Sequence, residues 1–141
     1  DIYGVSVSDR KARIEQMAER FGMEDSLNRQ MVSYSHGMRQ KMMVIAALVH
    51  NPPVWILDEP MTGLDPNAAY ELKKMMREHA DAGNCVFFST HVLEVAEKLC
   101  DKIIMIRKGK DIYQGTLEEL ENQHKNKSLE EIFVEMTHEE F

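Results

Sequence analysis

Asp58 and Glu59 stand side by side at the end of the apolar run Val54-Trp55-Ile56-Leu57, and His91 follows a second apolar run, Cys85-Val86-Phe87-Phe88, after Ser89-Thr90. In parallel α/β sheets, ligands collect beyond the carboxyl ends of the strands. An aspartate placed there can hold a magnesium ion, directly or through water, while an adjacent carboxylate takes a proton from an attacking water. Two such roles need two carboxylates. An isolated Asp-Glu pair more commonly just ends a strand and starts a turn, so the surroundings of the pair decide between the readings.

A second group of residues lies upstream. Ser35 and Gly37 fall where a helix begins, so backbone N–H groups and a hydroxyl can face an anion, and glycine permits close approach. Arg39 and Lys41 stand in the first turn of that helix, where a cation is unfavourable by only about 0.3–1 kcal/mol. An anionic ligand would relieve the conflict, but a cost this small favours both side chains simply pointing to solvent. Asp65 before Pro66 reads first as a helix cap. Cys85, Cys100 and the many methionines read as core filler.

The elements that would position these groups follow from periodicity. From Ser8 onward, Ile14, Met17, Ala18 and Phe21 recur at helical spacing, with Ser8 or Asp9 as cap and Gly22 as stop. Met38, Met42, Ile45 and Val49 mark one face of a second helix, which Asn51-Pro52-Pro53 ends. Val54–Leu57 has no alternation and fits a strand buried on both faces. A helix capped by Asp65 buries Leu72, Met75 and Met76 and closes at Gly83. Cys85–Phe88 is a second buried strand, and a helix with Val92, Val95, Ala96 and Leu99 on one side comes after it. Ile103–Ile106 and Asp111–Gln114 flank the turn Lys108-Gly109-Lys110 as a hairpin. Thr116 and Ser128, each three residues before a glutamate, begin capping boxes of two short acidic helices. The strand-helix-strand-helix order predicts α/β architecture with right-handed crossovers.

Bulk properties exclude several classes. With 141 residues and 43% hydrophobic content, the chain is sized for one domain or a large piece of one. Its longest apolar runs, such as Val44–Val49, fall far short of the roughly 20 residues of a membrane-spanning helix. The opening Asp1-Ile2-Tyr3 lacks a secretory pattern and a methionine, which fits a soluble segment of a longer chain. Two cysteines without paired spacing fit a reduced, cytosolic compartment. The formal net charge of −7 argues against nucleic acid as a partner. Nearly all of it resides in Thr116–Phe141, which holds eight acidic residues, Glu139 and Glu140 among them, against Lys125 and Lys127.

The stretch Leu57-Asp58-Glu59-Pro60-Met61-Thr62-Gly63-Leu64-Asp65-Pro66 resembles the Walker B motif and D-loop of the ATP-binding cassette (ABC) ATPase subunits. Tyr34-Ser35-His36-Gly37-Met38-Arg39-Gln40-Lys41 resembles their signature motif, and Ser89-Thr90-His91 their switch histidine. The three occur in the family's order and at its spacings, and the resemblance covers essentially the whole chain. It implies the C-terminal half of a P-loop NTPase domain of ABC type: a helical-subdomain portion with the signature at residues 1–50, an α/β core portion at 51–115, and an acidic helical extension at 116–141.

The resemblance also implies roles. Glu59 would polarise water, Asp58 would organise Mg2+, and His91 would contact the γ-phosphate. Ser35, Gly37 and Met38 would close on ATP held by a second ATPase subunit, with Asp65 at the dimer contact. The partners implied are that second copy and a transmembrane permease, at the cytoplasmic face of a membrane. The chain departs from the family at His36, where a glycine is usual, and at Met38, where a glutamine is usual. Serine, a variable residue, glycine and methionine, together with Ser128-Leu129-Glu130-Glu131-Ile132-Phe133, resemble an exporter branch whose ATPases end in an acidic extension. No glycine here is followed by Lys-Ser or Lys-Thr, the ending of a phosphate-binding loop, so these residues should neither hold ATP tightly nor hydrolyse it alone. Two other classes remain open: a DNA- or ribosome-associated ABC-type ATPase, and a non-enzymatic folding unit that self-associates through exposed strand edges.

Overall fold

The computed structural model describes residues 3–125 and 127–138, with backbone alone for His138. Glu139 and Glu140 of the acidic tail, and Asp1 and Ile2, lie outside the described residues. The chain forms two compact units, one ending at Ser89 and the other beginning at Thr90.

The first unit is built on three helices and a parallel strand pair. Helix α1 (Val7–Phe21) is capped by Ser6, whose Oγ accepts from the N–H of Asp9, and it closes on Gly22 with φ +62°. The cap therefore precedes the expected Ser8 or Asp9, because Asp9 uses its N–H as a first-turn donor. Helix α2 (His36–Leu48) starts on Ser35, and helix α3 (Pro66–Asp81) on Asp65 with proline in its first turn. Their buried faces supply the core: Met17, Ala18 and Phe21 from α1, Val44, Ile45 and Leu48 from α2, and Ala68, Leu72, Met75 and Met76 from α3. Polar links tie the helices together. Arg20 of α1 reaches Glu71 (2.9 Å) and Glu78 (2.7 Å) of α3, and Arg13 donates to the carbonyl of Val49 at 3.1 Å. The carboxyl of Glu78 is held below its ordinary range chiefly by the Arg20 hydrogen bond.

Strands β1 (Val54–Leu57) and β2 (Cys85–Phe88) pair in parallel, Leu57 opposite Phe88. They are not buried on both faces as the run of apolar residues suggests. Trp55 packs inward and stacks on the buried His79 of α3 with ring centroids 4.1 Å apart. Val54, Ile56, Cys85 and Phe87 share the other face, and all four are exposed, Ile56 at 76% and Phe87 at 57%. Among the described residues, α3 covers only one side of this pair, and Cys85 is correspondingly a surface residue rather than core filler.

The second unit packs around Ile103, Met105, Leu120, Leu129 and Ile132. Helix α4 (Leu93–Leu99) turns Leu93, Ala96 and Cys100 toward this core, while Val92 stays 43% exposed, a shift from the side expected. Strands β3 (Ile103–Arg107) and β4 (Lys110–Gly115) are antiparallel, joined through Lys108 (φ +48°) and Gly109 (φ +76°), the two positive values that a tight hairpin turn requires. Both capping boxes form. Thr116 and Glu119 exchange bonds of 3.1 and 2.9 Å at the start of α5 (Leu117–Gln123), and Ser128 and Glu131 exchange bonds of 3.2 and 2.7 Å before α6 (Leu129–His138).

Candidate functional site

Asp58 and Glu59 emerge at the carboxyl end of β1, and the parallel register sets Ser89 beside them at the end of β2. Ser89 joins the two. Its hydroxyl donates to Oδ1 of Asp58 at 2.5 Å, its oxygen accepts from the N–H of Glu59 at 3.0 Å, and its own N–H donates to the carbonyl of Leu57 at 3.0 Å. Glu59 itself takes a left-handed backbone, φ +43°, which a glutamate rarely adopts. The turn after it closes through Thr62 N–H to the carbonyl of Glu59 at 3.0 Å, so the chain reverses immediately at the carboxylate pair. Ser89 was visible in sequence only as the first member of a three-residue resemblance; the pairing of β1 with β2 gives it a role in orienting Asp58 and Glu59.

A divalent cation of the magnesium type binds through one or two protein carboxylates, with phosphate and water oxygens completing the shell. Asp58 fits that requirement, since its carboxylate is at a strand end and is oriented by one hydrogen bond at Oδ1. Among the described residues no group of three or more His, Cys, Asp or Glu side chains forms a self-sufficient metal site.

The upstream group is assembled from the starts of α2 and α3. Ser35 Oγ accepts from the N–H of Met38 at 3.3 Å, placing Met38 and Gly37 in the first helical turn. N–H groups at such positions have no partner inside the helix. Gly37 packs directly on the turn after the carboxylates: a Cβ there would meet the carbonyl oxygen of Gly63 at 3.1 Å. Gly63 is constrained twice, by φ +78° and by the His36 ring, whose Nε2 would lie 2.9 Å from an added Cβ. Asp65 caps α3 through Oδ1 to the Ala68 N–H at 3.0 Å, and its Oδ2 lies 2.7 Å from Lys41 Nζ. The Lys41 hydrogen bond, then the Ala68 N–H, hold the Asp65 carboxyl below the ordinary aspartate range.

The two cations expected in the first turn do not simply point to solvent, and Lys41 falls in the second turn of α2. The Lys41 side chain is only 15% exposed, and besides Asp65 it donates to the carbonyl of Phe21 at 3.1 Å, at the C-terminus of α1. Arg39 donates to the carbonyl of Tyr34 at 3.2 Å. The first-turn conflict is thus met by a carboxylate and by carbonyl oxygens of the protein itself.

His91 belongs to the second unit, on the exposed bend before α4, where Thr90 Oγ1 accepts from the Val92 N–H at 3.1 Å. The first unit therefore brings together Asp58, Glu59 and Ser89 and, through Gly63 and Lys41, links Ser35, Gly37, Met38 and Asp65, whereas His91 stands in the neighbouring unit.

A family model described as ABC transporter matches residues 3–62. The ABC transporter ATP-binding protein NatA of Bacillus subtilis (strain 168) is 38% identical over 133 residues, covering 94% of this chain and 54% of NatA. The ABC-type transporter ATP-binding protein EcsA of the same organism is 36% identical over 98% of this chain and 57% of its own length. The daunorubicin/doxorubicin resistance ATP-binding protein DrrA of Streptomyces peucetius is 35% identical over 86% of this chain and 37% of its own length. A solved ATP-binding subunit of an ABC transporter superposes with a TM-score of 0.88 at 35% identity, over 96% of this chain and 57% of that one.

Along 94–98% of its length the chain is similar to ATP-binding subunits of ABC transporters. It spans a little over half the length of NatA, EcsA and the solved subunit.

Proposed function

We propose that these residues are the hydrolytic-carboxylate and signature portion of an ATPase that powers export across a membrane. The observation that carries the proposal is the Asp58-Glu59 pair, held at one strand end by the single hydroxyl of Ser89. Glu59 accepts the proton of the water that attacks the γ-phosphate, and its left-handed backbone sets the carboxylate at the chain reversal. Asp58 would hold Mg2+, and the ion when bound would offset the charge of the phosphate oxygens. His91 meets the γ-phosphate. Ser35, Gly37 and Met38 present a helix start to ATP held by a second copy, and Asp65 lies at that dimer contact. Phosphoryl transfer of this kind is mostly positioning and charge stabilisation, so a site divided between two copies works once they close.

The export direction is supported by the Ser-His-Gly-Met form of the signature and by the likeness to a drug-resistance subunit. A permease in the membrane and attachment at its cytoplasmic face follow from this reading. Among the described residues no helix is long and apolar enough to cross a membrane.

The test is Glu59→Gln in the full-length subunit. Hydrolysis should fall to background while an ATP-bound dimer accumulates in size-exclusion chromatography with labelled nucleotide. Turnover at the wild-type rate removes Glu59 as the base. The 141-residue chain by itself should show no ATP turnover, for want of a Gly-Lys-Ser/Thr loop.

A further inference from the structure

We infer that Lys41 is a positioning residue that locks the signature helix to the turn carrying Glu59, so that the two move as one body. The inference rests on the hydrolytic reading above. Among the described residues, Lys41 touches three parts at once. It sits in the second turn of α2, closes the C-terminus of α1 at the Phe21 carbonyl, and pairs with Asp65 at the end of the Glu59–Asp65 segment. Asp65 in turn spends one oxygen on Lys41 and the other on the α3 cap, so its carboxylate is fixed from both sides.

Steric contact supplies the second half of the lock. Gly37 has a Cβ position 3.1 Å from the Gly63 carbonyl, and the His36 ring covers the Gly63 Cα from the opposite partner. A side chain at residue 37 would press on the Gly63 carbonyl, and one at residue 63 would press on the His36 ring. The absence of a side chain at residue 37 is thus used by the protein's own turn, and the departure at His36 adds a ring where a second glycine would leave a gap. Between Gly63 and Glu59 the chain is closed by the Thr62 bond to the Glu59 carbonyl, so a shift at residue 63 has a short route to the carboxylate backbone.

In the full-length subunit, Lys41→Met and Asp65→Asn separate this role from simple stability. Asparagine remains a good helix cap, so Asp65→Asn keeps the start of α3 while removing the ion pair. Both variants should lower kcat by about tenfold, with the KM for ATP within about twofold of wild type, because a small misplacement of a reacting group costs rate rather than ground-state binding. The double variant should be no slower than the slower single variant, and Lys41→Arg should recover most of the rate. Losses that multiply in the double variant, a kcat equal to wild type in both singles, or a rise in KM alone would each overturn the lock. Glu59→Gln serves as the control: if it abolishes turnover while Lys41→Met does not alter it, the lock fails and the hydrolytic reading stands, and if Glu59→Gln is also without effect, the hydrolytic reading itself fails.

Discussion

Gly63 and Asp65 show how closely single residues in the turn after Glu59 are specified. At φ +78°, an L side chain carries a penalty of about 1–2 kcal/mol, and at Gly63 an alanine methyl would also press on His36. Gly63→Ala should therefore lower the unfolding free energy of the full-length subunit by at least that much, measured by urea denaturation. His36→Gly in the same background should return part of the loss. For Asp65 the effect is one of pH. Its folded carboxyl is held below the usual aspartate range, so the stability it contributes is complete above that range and disappears as the pH falls through the folded value. The difference in urea midpoint between wild type and Asp65→Asn should be largest near neutrality and should shrink as the pH falls below the ordinary aspartate range. A difference that stays constant with pH would assign Asp65 to capping alone. At this scale the sequence was informative about residue types and weak on partners. Asp65 was legible as a cap from Pro66 beside it, but its pairing with Lys41 joins residues on different helices, and no local spacing encodes that contact. The same holds for Ser89, whose hydroxyl reaches Asp58 only because β2 lies beside β1.

The elements themselves were largely readable, because caps and stops are local. Ser35, Asp65, Thr116 and Ser128 each begin a helix where a short polar side chain precedes a periodic run, and Gly22 ends one in the left-handed region. The errors have equally local causes. Ser8 and Asp9 were the two expected caps, but Ser6 closes the helix, because the Asp9 N–H points back to its hydroxyl. Seven residues of α4 are too few for periodicity to fix the buried side. The Thr116 box gives a direct check. Thr116→Ala removes the acceptor for the Glu119 N–H and should destabilise the second unit by about 1 kcal/mol, seen as an earlier thermal transition in calorimetry. In α3 the buried His79 Nε2 and its stacking partner's Trp55 Nε1 have no hydrogen-bond partner among the described residues. A buried unpaired polar group costs about 1–3 kcal/mol, and an apolar ring of similar shape avoids it. His79→Phe should leave the melting temperature unchanged or raise it; a fall would mean that the imidazole nitrogen is satisfied in the assembled protein.

For the molecule as a whole, the consequential fact is the open side of β1 and β2. A run of four apolar residues without alternation is what a doubly covered strand looks like, and the sequence cannot say whether the covering element is present in the same 141 residues. Ile56 and Phe87 sit side by side on the uncovered face. The 141-residue chain should accordingly self-associate in sedimentation experiments, and Ile56→Lys with Phe87→Glu should reduce that association while leaving the inward face of Trp55 intact. A wild-type chain that sediments as a monomer would refute this expectation. The opposite face offers something of practical use. Trp55 is the chain's one tryptophan, buried against His79 and three residues before Asp58. Its indole emission is therefore an intrinsic optical reporter of the strand that delivers the carboxylates, and nucleotide-driven rearrangement there can be followed in real time without attaching a dye.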